Sequence, residues 1–330
     1  MYYSKIAGIG AYVPEKVVTN HDLEKMMDTS DEWIVERTGI RERRWVDKPM
    51  GASDLAVPAS VEAIEMAGLK KEDIDMIIFA TLNPDYSMPG SSSLLQAKLG
   101  LAGVPTLDIR VQCSGFVYGL AIADSFIKSG FYKNILLVGS EVQSVGLNLT
   151  TEGRDVAVLF GDGAGAAVVT RSEDDSRILF YHLGGDGKYA KELWCEAPVG
   201  FQIPRISKKM IDEGRHFPKM NGRQVFKRAV TIFPRIVKIA MESQGWNIED
   251  VDLIIPHQAN LRITEALARS LGVGLDKVYS NIHKYGNTTA ASIPLAICDA
   301  LKEGKIKKGS NLILAAFGSG FTWGSVATRW

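Results

Sequence analysis

The chain has 330 residues; 38 Lys and Arg are balanced by 38 Asp and Glu, and 46% of residues are hydrophobic against 23% charged. That length corresponds to about two domains of ordinary size, and the composition is too apolar for disorder. A net charge of zero supplies no whole-molecule field to hold nucleic acid or an anionic membrane, so an anionic partner has to meet a local patch. The opening MYYSKIAGIG lacks a basic segment followed by a long apolar stretch, so no secretory signal is expected. No apolar run approaches the roughly 18 residues of a membrane span. Cys113, Cys195 and Cys298 are too few and too scattered for a disulfide framework, which favours a reduced, cytoplasmic setting.

Taken in chain order, near-continuous apolar runs predict buried strands at 75–80 (DMIIFA), 135–139 (ILLVG), 165–170 (GAAVVT), 252–256 (DLIIP), 312–317 (LILAAF) and 324–329. Amphipathic helices alternate with them. One follows Cys113, with Phe116, Leu120, Ala123 and Ile127 at helical spacing and a stop at Gly130. Another carries Ile293, Ala296, Ile297, Ala300 and Leu301 and stops at Gly304. Alternation of strand and helix with buried strands means a layered α/β fold.

The chain also repeats itself. KEDIDMII (71–78) matches IEDVDLII (248–255), LAIADSFIKSG (120–130) matches PLAICDALKEG (294–304), and ILLVGS (135–140) matches LAAFGS (314–319). Ile9-Gly10 aligns in the same way with Leu183-Gly184, always in the same order and at nearly constant spacing. Two similarly folded halves are therefore expected, 1–173 and 174–330, divided at the polar segment RSEDDSR (171–177) and stacked as helix, sheet, helix, sheet, helix.

Cys113 lies in LDIRVQCSGFVYG, where a strand gives way to a helix. A helix N-terminus favours a thiolate, and the elbow presents a side chain outward as a nucleophile requires; a buried structural cysteine is the competing reading. The repeat places Asn287, in YGNTTAAS, at the position equivalent to Cys113, and His257 at the end of the strand 252–256. If the halves are related by a pseudo-twofold, a cysteine, a histidine and an asparagine converge on one crevice. His21, His182, His216 and His283 have no such placement and read as surface or structural. GDGAGA (161–166) lacks the G-x-G-x-x-G spacing and precedes a strand, so it reads as a tight turn rather than a phosphate cradle. No CxxC, HxH or HExxH spacing suggests a metal.

Cys113, PHQANLRI (256–263), KYGNTTAAS (284–292), FGDGAGAAV (160–168), FGSGFTWGS (317–325) and TSDEWIVERTGIRERR (29–44) together resemble 3-oxoacyl-acyl-carrier-protein synthase III, the initiating condensing enzyme of dissociated fatty-acid synthesis. The resemblance implies a thiolase-like five-layer αβαβα fold, a homodimer of duplicated halves, and an acyltransferase with no cofactor or metal. Its substrates are thioesters of CoA and acyl-carrier protein. It also implies that Cys113 takes the acyl group from an acyl-CoA, after which His257 and Asn287 stabilise the enolate formed as malonyl-acyl-carrier protein loses CO2. Backbone N–H groups of Cys113 and Ser319 are the implied oxyanion donors. The family commonly reads FGGGFTWG where this chain has FGSGFTWG, and the side chain of Ser319 narrows the backbone angles open to that donor. Phe317 is expected beside His257.

By the same resemblance Thr29, Trp33, Arg37 and Arg154 contact CoA, Gly222, Phe226 and Asn260 line the pantetheine tunnel, and Arg262 belongs to the carrier-protein docking patch. Met88, in YSMPGSSS, stands where members using very short primers carry a bulky aromatic that reaches the partner subunit's pocket; a flexible Met at this acyl-pocket position suits a longer or branched acyl group. Residues 185–217 look longer than the usual connection and are expected to shape the acyl pocket or its entry. Two readings compete. A papain-like protease shares the Cys-His-Asn order but not this duplication, and no CGSCW signature is present. An acyltransferase or condensing enzyme of a secondary-metabolite, polyketide-type pathway shares the cysteine and differs in acceptor.

Overall fold

The structure, a computed structural model, describes residues 2–330. Two mixed sheets are built to one plan. In the first, Tyr3–Tyr12 pairs antiparallel with Gly163–Ser172, which pairs antiparallel with Asn134–Glu141; parallel strands Met76–Ala80 and Thr106–Ile109 follow. In the second, Arg177–Gly185, Thr322–Arg329, Asn311–Gly318 and Leu253–Pro256 take the same order and the same directions. A parallel bridge from Ile254 to Val278 stands where the first sheet has its fifth strand. The chain passes from one sheet to the other through the turn at 173–176.

Burial on both faces explains the near-continuous apolar runs. Ile135 and Leu137 face the middle of the molecule, whereas Leu136 and Val138 face the outside of their sheet; all four are buried. Leu312, Leu314 and Ala316 alternate in the same way with Ile313, Ala315 and Phe317. The middle layer consists of the helices Gly115–Lys128 and Ser292–Lys302, whose Phe116, Leu120, Ile293 and Ile297 join strands of both sheets in one core. Burying a side chain of this size is worth about 1.5–3 kcal/mol. Helices Ala52–Met66 and Ser91–Leu99 cover the outside of the first sheet, and Gly222–Gln244 and Leu261–Leu271 that of the second. Five layers result, α, β, α, β, α.

The two middle helices end at Gly130 and Gly304, both left-handed at φ 82° and 69°. Three strands of the two sheets escape the apolar-run criterion, the shortest being Thr106–Ile109, four residues long and not fully buried. Tyr3–Tyr12 is interrupted by glycines, and Arg177–Gly185 keeps much of its length half-buried. The long connection after Gly185 forms a helical turn at Gly187–Glu192, a two-residue ribbon of Leu193–Trp194 against Lys219–Met220, and a short helix Lys208–Asp212 over its own small core of Ala197, Val199 and Met210. No helix among the described residues is long and apolar enough to cross a membrane.

Candidate active site

Each middle helix is preceded by a single tight helical turn, Gln112–Ser114 in the first half and Thr289–Ala291 in the second. Both turns contain a non-glycine residue in the left-handed region, Gln112 at φ 43° and Thr289 at φ 52°. Such residues cost about 1–3 kcal/mol each and persist only where the surroundings enforce them. They turn the chain so that Cys113 and Asn287 reach a common cavity of about 490 Å³, which His257 also lines.

Asn287 belongs to the second half but is held by the first. Its N–H donates to the Leu159 carbonyl at 2.8 Å, and its carbonyl accepts from the Gly161 N–H at 3.1 Å. The glycine-rich turn is thus a backbone clamp, and its Asp162 carboxylate gathers the N–H groups of Val46, Gln143 and Ser144. The Asn287 side-chain oxygen accepts from the Thr289 N–H at 2.9 Å, which leaves the NH2 end to donate into the cavity.

His257 follows the strand Leu253–Pro256, its N–H donating to the Ala315 carbonyl at 2.7 Å. The ring is buried, and burial pushes its pKa down to about 3, so it is neutral. Nδ1 lies 2.7 Å from the Ser292 hydroxyl oxygen, which itself accepts from the Gln258 N–H at 3.4 Å. Both contacts are satisfied when Ser292 donates to Nδ1, and the ring proton then sits on Nε2. That nitrogen is buried with no hydrogen-bond partner. A donor without an acceptor, lining a cavity, is a group prepared for a ligand oxygen.

Cys113 departs from the expected low-pKa thiolate. Burial pushes the thiol up to about 12, and the neighbouring Glu141 carboxyl adds to the shift. The backbone N–H groups of Cys113 and Ser319 favour the ionised sulfur and pull the other way without prevailing. Enclosure favours the thiol, since Cys113 is buried in the turn ahead of the helix. Glu141 is itself fully buried and raised to about 8, although Leu82, Asn83, Thr81 and Ala290 all donate to it.

The turn bearing Ser319 fits against the sulfur through its glycines. A Cβ on Gly318 would stand 2.6 Å from Cys113 Cβ, too close for any side chain. Gly320 takes φ 132°. Ser319 between them lies outside the left-handed region, so the serine keeps the donor N–H without strain. Phe317, buried and lining the same cavity as His257, packs edge-on to Phe233 at 6.4 Å and against Phe321 at 4.8 Å.

The cavity opens past Phe226, Gly222 and Asn260 to a basic rim of Arg37, Arg223 and Arg262. Trp33, also on the wall, carries the guanidinium groups of Arg37 and Arg154 at 4.7 and 4.8 Å from its ring. Arg154 lies outside the lining and donates to the Asp28 carbonyl at 2.5 Å; Thr29 beside it has a buried hydroxyl oxygen with no partner. Asn260 is engaged at both ends, capping helix Leu261–Leu271 through the Arg262 N–H and donating to the Arg37 carbonyl. The Arg262 guanidinium covers the Phe226 ring at 5.5 Å. Met88 is not brought to this cavity and is 86% exposed. Leu193 and Met220, from the ribbon of the long connection, do form part of the wall. Leu193 falls within the connection 185–217 that was expected to shape the pocket or its entry, whereas Met220 lies just beyond it and no sequence pattern marks it.

Comparison with known proteins agrees with this geometry. The profile of 3-oxoacyl-[acyl-carrier-protein (ACP)] synthase III matches residues 107–187, and that of its C-terminal region residues 241–330. The chain is 48% identical to the beta-ketoacyl-[acyl-carrier-protein] synthase III of Caldanaerobacter subterraneus subsp. tengcongensis, covering 98% of this chain and 97% of that one. It superposes on the crystal structure of the 3-oxoacyl-[acyl-carrier-protein] synthase III of Aquifex aeolicus VF5 with a TM-score of 0.91 at 45% identity, over 99% and 100% of the two chains. The priming β-ketosynthase of the R1128 polyketide pathway shares the fold at a TM-score of 0.90 but only 29% identity, over 99% and 96% of the two chains. The secondary-metabolite reading is accordingly not favoured.

Proposed function

The chain belongs to the 3-oxoacyl-[acyl-carrier-protein] synthase III family of condensing enzymes that initiate fatty-acid synthesis, and from that premise we propose how its residues divide the reaction. An acyl-CoA enters along Phe226 and Gly222, its adenine and phosphates held at the rim by Trp33, Arg37 and Arg154, with Thr29 beside them. The Cys113 sulfur attacks the thioester carbonyl. The developing oxyanion is met by the N–H groups of Cys113 and Ser319, and the departing CoA sulfur takes the proton that the Cys113 thiol gives up.

Malonyl-acyl-carrier protein then docks at the rim around Arg262 and threads its thioester past Phe226. Loss of CO2 places negative charge on the thioester oxygen. His257 Nε2–H and the Asn287 NH2 group donate to it, and removing one such donor costs about 2.7–4 kcal/mol in comparable sites. Neither group surrenders a proton readily: the imidazole is neutral, and an amide is not an acid near pH 7. The carbanion therefore survives to attack the acyl-cysteine, and the released sulfur picks up a proton. Residues 2–330 supply every group these steps use, with no cofactor or metal invoked. We place the reaction in the cytoplasm, with the protein acting as a homodimer.

The observation that carries this reading is the meeting of Cys113, an unpartnered His257 Nε2 and the Asn287 amide at one cavity. Intact-mass measurement after exposure to mixed acyl-CoAs should show one acyl group on wild-type Cys113. His257→Ala and Asn287→Ala should still be acylated yet fail to release CO2 from malonyl-acyl-carrier protein. Normal decarboxylation by either variant refutes the assignment.

A further inference from the structure

Ser319 does two things at once. Its N–H belongs to the turn that Gly318 presses against Cys113, while its hydroxyl donates to the carbonyl of Leu193, a residue of the long connection whose side chain walls the same cavity. Further contacts fasten the connection to this turn. The Asp186 N–H donates to the Phe321 carbonyl at 2.7 Å, the Phe321 N–H donates back to the Asp186 carbonyl at 3.1 Å, and the Tyr189 ring stacks on Phe321 at 5.6 Å. Those bonds hold the connection at Asp186 and Tyr189, short of the cavity. At the wall itself, the ribbon Leu193–Trp194 meets the turn through the Ser319 hydroxyl, and Met220 of the paired strand also lines the cavity. A glycine at 319 would keep the N–H and lose this bond.

We infer that the Ser319 hydroxyl is a positioning group that ties the oxyanion donor to the cavity wall, so that the fit of the acyl chain against Leu193 and Met220 is read in the rate of Cys113 acylation rather than in the affinity for CoA. The inference rests on acylation of Cys113 as set out above. An acyl group that displaces Leu193 moves its carbonyl, and the hydroxyl carries that movement to the N–H facing the tetrahedral oxyanion. No new covalent step is involved: the thioester carbonyl goes to sulfur, and CoA leaves with the proton.

The test is single-turnover acylation by acetyl-CoA and by hexanoyl-CoA, followed by intact mass, together with calorimetric affinity for CoA. Ser319→Ala should slow acylation by the better substrate about 10- to 100-fold, the scale of a slightly misplaced oxyanion donor. CoA affinity should stay within about twofold of wild type, well inside one factor of ten. The wild-type rate ratio between the two thioesters should shrink, and Leu193→Ala combined with Ser319→Ala should shift the rate by less than the two single effects predict together. The inference is overturned if Ser319→Ala keeps the wild-type rate and ratio, or if rate and CoA affinity fall in step. A wild-type enzyme acylated by neither thioester, nor by any other acyl-CoA, overturns the underlying reading as well.

Discussion

Cys113 shows how far a single residue's chemistry depends on its immediate cover. Position at the start of a helix suggests a thiolate, yet enclosure holds the thiol at about 12. From pH 7 to 9 the thiolate is therefore a small fraction that rises about tenfold per pH unit. Iodoacetamide labelling of Cys113, followed by peptide mass spectrometry, should climb without a plateau across that range. A plateau near neutrality would mean that the sulfur is already ionised at rest. The cysteine, histidine and asparagine themselves were legible from residue type and from the repeat. The sulfur's protonation state was not, because it is fixed by the fold and by Glu141, which no local pattern marks.

Among the elements, the middle helix Ser292–Lys302 does more than fill the core. Its first residue, Ser292, lies 2.7 Å from His257 Nδ1 and fixes the ring proton on Nε2 when its hydroxyl donates there. Ser292→Ala frees the ring to place its proton on Nδ1, turning a lone pair toward the malonyl oxygen. Acylation of Cys113 should stay near the wild-type rate while decarboxylation falls about 100-fold, the low end of the loss of one oxyanion donor. Equal losses in both half-reactions would instead point to general damage. The strands and middle helices could be read from the sequence because burial on both faces leaves little but apolar residues. The ribbon Leu193–Trp194 could not, since it is two residues long and gains its role from partners at Met220 and Ser319. Likewise, Ser319 departs from the family's glycine, and a side chain there narrows the backbone angles. Its backbone proves ordinary, because the steric and angular demands fall on Gly318 and Gly320.

At the scale of the whole molecule, two exposed apolar side chains lie close together in sequence. Tyr86 is 62% and Met88 86% exposed on the loop before helix Ser91–Leu99. Single exposed apolar side chains are ordinary, but neighbouring ones such as these mark a candidate contact surface. With the homodimer proposed above, Met88→Asp should shift sedimentation from dimer toward monomer and lower acylation with it. A dimer of unchanged stability would exclude Met88 from the contact.

The clamp on Asn287 has a consequence of its own. The Asn287 amide comes from one half, yet its backbone is gripped by Leu159 and Gly161 of the other, while Gly318 closes on Cys113 in the opposite sense. The chemistry lives on the seam. Slippage of one sheet past the other by a fraction of an ångström would separate these groups while every strand is still paired, so turnover should fall on warming before far-UV circular dichroism does; coincident loss of the two would refute this.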